Sequence, residues 1–204
     1  MSYERPKEKI EVSQVIKKSQ FIGNLAIVNS SAQALEFVQQ IKSLHNAANH
    51  SCHCFIAGTP EQSSLWGYSD DGEPKGTAGL PMFQVLRYSA LGNVCIVVTR
   101  YFGGIKLGTG GIARAYSSTV KLTLDDCSRD IIELTCEKIF IAPFHLTGTL
   151  EHIIKQTKGI TVIQREWLAD GQKLTLCIEE PSLDNYNLAI SPYLHELQLL
   201  ENTE

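Results

Sequence analysis

Ten of the fifteen glycines in this 204-residue chain fall between positions 67 and 111. Glycine loses more conformational freedom on folding than any other residue, and it is placed where φ must be positive or where backbones approach closely. Two runs carry most of them: Tyr68-Ser-Asp-Asp-Gly-Glu-Pro-Lys-Gly-Thr-Ala-Gly-Leu-Pro81 and Gly103-Gly-Ile-Lys-Leu-Gly-Thr-Gly-Gly-Ile-Ala-Arg-Ala-Tyr116. The second follows the β-branched stretch Asn93–Tyr101 and precedes a helical pattern over Ile112–Leu124, so it reads as a strand–loop–helix junction. Such a junction aims unpaired N–H groups and the positive end of a helix dipole at one point, which suits an anion.

Around this junction the chain reads as alternating strands and helices. A loosely alternating opening segment suggests a strand pair before residue 30. Ser30 and Gln33 form a capping box for a helix to Asn46, with Leu35, Val38, Ile41 and Leu44 at helical spacing. Cys52–Gly58 is a short apolar strand, and a helix is expected from Pro81 to Gly92. Acidic Asp125–Asp130 reads as a linker between two domains, residues 1–128 and 129–204. Beyond it come a strand over Ile131–Ile141, a helix over Leu146–Lys158 closed by Gly159, and a hairpin around Asp170-Gly171. A helix from Leu183 that ends near Pro192 and a last strand at Leu197–Leu200 complete a β-α-β-β-α-β order, the ferredoxin-like arrangement.

Charge divides along the same line. Residues 1–128 carry 12 Lys and Arg against 10 Asp and Glu; residues 129–204 carry 6 against 12. The span 87–124 has five cations and no acid, which leaves Arg100, Lys106 and Arg114 expected to face solvent or an anion. Any polyanion should therefore meet the first domain. The six cysteines include no CxxC pair and are read as free, buried thiols. No apolar run reaches the roughly 18 residues of a membrane span, and the charged N-terminus does not resemble a signal peptide, so a cytoplasmic protein is expected.

The motifs come close to known phosphate binders without matching them. Gly103-x-x-x-x-Gly108-Thr109 has P-loop glycine spacing, yet Thr109 stands where the phosphate-binding lysine belongs. Gly108-x-Gly110-x-x-Ala113 fits a relaxed dinucleotide fingerprint outside the expected βαβ context. Asp70, Asp71 and Glu73 could hold a metal, activate a hydroxyl or pair with Arg100 or Lys106; no further ligand cluster supports a metal. His50-Ser-Cys-His-Cys54 alternates along one strand and cannot close a tetrahedral zinc site, so it reads as structural.

The two long motifs, in this order and at this separation, resemble the signature of the IMPACT family, and the whole chain resembles its bacterial YigZ-type members. That resemblance implies an α+β protein of two domains. The first would be the α/β sandwich of ribosomal-protein-five domain two, shared with elongation factor G domain IV and GHMP kinases. The second would be similar to elongation factor G domain V. Eukaryotic members act in translational control through an added N-terminal partner-binding domain, a mechanism not expected of this chain. What the resemblance implies is a noncatalytic protein, without cofactor, whose first domain faces RNA or the ribosome. The expected surface comprises Arg100, Tyr101, Lys106, Gly108, Thr109, Gly110, Gly111, Arg114 and Tyr116, with Tyr101, Phe102 or Tyr116 stacking on bases. Asp70, Asp71, Glu73, Lys75 and Thr77 of the first motif would line it. The alternative is a kinase-like enzyme on small phosphate compounds, with Asp71 as base.

Overall fold

The computed structural model describes residues 2–200. Within it Tyr3–Ile132 forms one compact unit, and the chain from Glu133 onward forms the other. In the first unit β1 (Ser2–Pro6) is followed by β2 (Ile10–Ile16), β3 (Ser19–Ile27), α1 (Ser31–Leu44), β4 (His50–Ile56) and β5 (Trp66–Ser69). Then come α2 (Gly79–Tyr88), β6 (Val94–Tyr101), α3 (Thr109–Asp125) and β7 (Arg129–Glu133). Five strands make one antiparallel sheet in the order β2-β3-β6-β4-β5.

Strand alternation gives this sheet two apolar faces. Phe21, Leu25, Cys52, Cys54, Val94, Ile96 and Val98 point to one face and meet α2 and α3 through Met82, Leu86, Ile112, Tyr116 and Val120. Ala26, Phe55, Cys95 and Val97 point to the other and meet Ala34, Phe37, Val38 and Ile41 of α1. The central strand β6 is buried along nearly its whole length. It can therefore carry a charged residue at its end only with a partner.

Local signals place some boundaries correctly and miss others. Ser30 caps α1 by accepting from the Gln33 N–H, as the capping box requires. Leu35 and Leu44 are exposed, however, and the buried stripe runs through Ala34, Phe37, Val38 and Ile41. Helix α2 starts at Gly79, two residues before Pro81, because the Asp70 carboxylate accepts the N–H groups of Ala78 and Gly79. The Asp125–Asp130 segment is not an open linker. α3 runs to Asp125, and Arg129–Glu133 pairs with β1 in a two-stranded ribbon, braced by Arg129–Glu4 and Lys7–Asp130 ion pairs.

In the second unit β8 (Thr135–Pro143) is followed by α4 (Thr147–Gln156), β9 (Ile160–Trp167), β10 (Gly171–Glu179), α5 (Leu183–Ile190) and β11 (Gln198–Leu200). The expected strand over Ile131–Ile141 is thus two strands in different sheets; the break falls at Leu134, whose carbonyl accepts from Glu180 N–H. The four strands are antiparallel in the order β11-β8-β10-β9. Phe140, Leu150, Leu174, Leu176 and Tyr186 form their core. All six cysteines are free; Cys52, Cys54, Cys95 and Cys127 are buried, whereas Cys136 and Cys177 are half-exposed.

Candidate functional site

The first glycine-rich motif is tied down by its own acids. Asp70 accepts three backbone N–H groups, from Gly76 at 2.7 Å, Ala78 at 2.9 Å and Gly79 at 2.8 Å. Burial alone would raise its pKa, but these bonds outweigh it and hold the carboxyl below its ordinary value. Asp71 follows with φ +43°, a left-handed conformation that aspartate tolerates better than most residues. One of its carboxylate oxygens takes Lys42 Nζ at 2.5 Å, and the other accepts the Ser51 N–H at 2.7 Å. These contacts overcome burial and lower its pKa too. Thr77 turns its hydroxyl back to the Pro74 carbonyl, and Lys75 is exposed. Each Asp71 oxygen thus accepts one hydrogen bond, and the carboxylate is held between α1 and β4.

Glu73 lies deeper. Its side chain is 3% exposed, and Oε1 accepts from Arg100 Nη1 at 2.6 Å and from the Tyr116 hydroxyl at 3.0 Å. The guanidinium is flanked by the rings of Phe21 and Phe102, with its carbon 5.5 and 5.7 Å from their centroids. Burial pushes Tyr116 and neighbouring Cys52 well above their ordinary pKa, so both stay protonated. This corrects two expectations. Arg100 does not face solvent: as a cation on a buried strand it pairs with Glu73 from the other motif. Tyr116 is fully buried in the core beneath α2 and α3, donates to Glu73 and cannot stack on a base.

The second motif shapes the rim. Gly103 packs so closely that a Cβ there would stand 1.9 Å from the Lys18 carbonyl oxygen. Gly108 has φ +70° and ψ 162°, a conformation essentially confined to glycine, and α3 begins immediately after it without a side-chain cap. The first N–H groups of α3, at Thr109, Gly110 and Gly111, lack helical acceptors by position. Arg114 folds back over this first turn, its Nη1 standing 3.5 Å from where a Cβ on Gly110 would be. Lys106 and Arg114 are exposed, as the sequence predicts. Tyr101 is half-buried, its hydroxyl 3.0 Å from His45 Nδ1.

Between the motifs lies a cleft of about 370 Å³. Arg100, Phe102 and Lys106 line it together with Leu107, Gly108, Thr109, Ile112, Asn49, His50 and Pro74. Asn49 fixes the rim by accepting the Phe102 N–H at 2.8 Å, and Phe102 leaves 47% of its surface open. Of the residues expected from the sequence, Arg100, Phe102, Lys106, Gly108 and Thr109 line this cleft; Gly110, Gly111, Arg114 and the acids of the first motif do not, and Asn49, His50, Pro74, Leu107 and Ile112 were not expected. Strand alternation places His50 correctly, but its partner is a backbone carbonyl 21 residues away, for which no sequence signal exists. Among the described residues no cluster of His, Cys, Asp and Glu is placed to hold a metal ion.

Fold and site together define a protein of two α/β units, the first of which folds two glycine-rich motifs into one cationic cleft. The Impact N-terminal domain model matches residues 17–124, a span that contains both motifs, and the chain belongs to the IMPACT family. It is 49% identical over 159 residues to IMPACT family member YvyE of Bacillus subtilis (strain 168), covering 77% of this chain and 71% of that protein. It is 38% identical over 154 residues to IMPACT family member YigZ of Escherichia coli (strain K12), covering 76% of each. A solved crystal structure described as that of a hypothetical protein superposes with a TM-score of 0.72 at 32% identity, over 100% of this chain and 98% of that one. No helix among the described residues is long and apolar enough to cross a membrane.

Proposed function

We propose that the cleft is a single-stranded RNA-binding surface, and that the chain works against RNA or the ribosome in the regulation of translation. The observation that carries this reading is the meeting, in one concave site, of exposed Lys106, an uncapped helix start at Gly108 and Thr109 and a half-open aromatic ring at Phe102. Phosphates are bound by cations and helix N-termini, and unpaired bases by aromatic faces. The link to translation rests on the family resemblance, as does the finer fold assignment: a ribosomal-protein-five domain-two sandwich followed by a domain similar to elongation factor G domain V. A noncatalytic role is supported over a kinase-like one because Asp71, the candidate base, is not among the residues that line the cleft. The test is fluorescence anisotropy with a labelled ten-nucleotide single-stranded RNA. The Lys106→Ala/Arg114→Ala variant is expected to bind more weakly at an unchanged melting temperature. Equal affinity in that folded variant would overturn the reading.

A further inference from the structure

His50 is the one imidazole in the cleft wall, and its environment fixes what it can do there. Its Nδ1 lies 2.8 Å from the Asp71 carbonyl oxygen. A carbonyl can only accept, so Nδ1 carries the hydrogen, and the acceptor of this tautomer is Nε2. The ring is held from two sides. Asp71 is itself anchored by Lys42 from α1 and by the Ser51 N–H from β4, while His50 is the first residue of β4 and pairs across the sheet with Arg100. A ring acceptor is thereby fixed in a wall that otherwise offers two cations, the Thr109 hydroxyl, the Asn49 amide whose oxygen already accepts from Phe102, and apolar surface. A second group is also left over: Arg100, 6% exposed and lining the same cleft, has its Nε without a partner although Glu73 takes Nη1. Phosphate alone would be served by donors. A fixed acceptor beside them calls for a ligand that also brings a hydroxyl.

We infer that the cleft seats one ribonucleotide of a single strand and that His50 Nε2 accepts a hydrogen bond from its ribose 2′-hydroxyl, which makes the site selective for RNA over DNA. This rests on the RNA-binding reading and deepens it. The phosphate goes to the first turn of α3 and Lys106, the base lies against Phe102, and the sugar faces His50. The 2′-hydroxyl is the group by which a protein tells RNA from DNA at a given position. One neutral hydrogen bond of this kind corresponds to about a fivefold preference.

The test compares two labelled ten-nucleotide homopolymers, oligo-uridine and oligo-deoxyuridine, which differ in the 2′-hydroxyl and not in the base. The full-length protein is expected to favour the ribose strand about fivefold. His50→Asn keeps an amide donor where Nδ1 stands and removes Nε2, so it is expected to fold, to retain deoxy-strand affinity and to lose the preference. His50→Gln, which returns a polar group near the Nε2 position, is expected to recover part of it. Lys106→Ala is expected to weaken both strands alike. Equal binding of the two strands by the unsubstituted protein would overturn the role of His50 and leave the RNA-binding surface standing. A preference that survives in folded His50→Asn would do the same. Binding of neither strand would overturn the RNA-binding reading itself.

Discussion

Glu73 and Arg100 show how one buried pair joins two motifs distant in sequence. Each residue alone would cost several kcal/mol to desolvate; together, with Tyr116 donating to the same oxygen, they lock the first motif to the end of β6. Glu73→Ala leaves the guanidinium buried without its counter-ion, and we expect a loss of about 3–5 kcal/mol in denaturant unfolding. Lys106→Ala, at an exposed position, should change stability by less than about 0.5 kcal/mol. Asp70 and Asp71 carry a pH signature. Both have folded pKa values below their ordinary ones, so the stability they add is complete above the ordinary carboxylate value of about 3.9 and is lost as pH falls through it toward the folded values. The denaturation midpoint should therefore drop as pH falls below about 4. Asp70→Asn should start lower and flatten that drop; an equally steep fall in the variant would assign the acid sensitivity to other groups. In the sequence these acids are legible as a dense polar loop. Their division of labour is not, because Asp70 turns back on its own loop while Asp71 and Glu73 find partners on other elements.

At the scale of elements, the strand–loop–helix junction was the most legible feature, since glycine spacing and β-branched composition are local signals. Ser30 at the start of α1 belongs to the same class. The start of α2 was misread because its N-terminal N–H groups are satisfied by Asp70, eight and nine residues earlier, and not by an adjacent cap. The end of the first unit was misread for a similar reason: polar Asp125–Asp130 has linker composition, but its neighbour Arg129–Glu133 finds β1 from the opposite end of the unit. Gly108 offers the sharpest test at this scale. Its backbone angles are closed to residues with a Cβ, although no atom stands within 4 Å of where that Cβ would be. Gly108→Ala thus strains the backbone without a clash, at a cost of about 1–3 kcal/mol. If the strain is relieved by turning the first residues of α3, RNA affinity should fall together with the melting temperature. Gly76→Ala is the control: its φ is +74°, its Cβ would also meet nothing, and it lies outside the cleft lining. It should lower stability and spare binding.

For the whole molecule, the division of charge sharpens once the units are known. Residues 1–132 carry 13 Lys and Arg against 11 Asp and Glu, and residues 133–204 carry 5 against 11. Every residue of the cleft belongs to the first unit, which holds two apolar cores on one sheet and closes its own ends by pairing β1 with β7. A fragment of residues 1–134 keeps that pairing whole and should unfold as one cooperative transition. It should also bind single-stranded RNA as the full chain does. With Arg100 committed to Glu73, the cations free to neutralise phosphate are Lys106 in the cleft and Arg114 over the first turn of α3. Two contacts on a single strand give a decline of log affinity against log salt of about 1.4. The fragment and the full chain should share that slope, and Lys106→Ala should lower it to about 0.7 in both. A fragment that folds but shows a slope near zero would place the RNA contacts in the second unit, where the excess of carboxylates makes them electrostatically unfavourable.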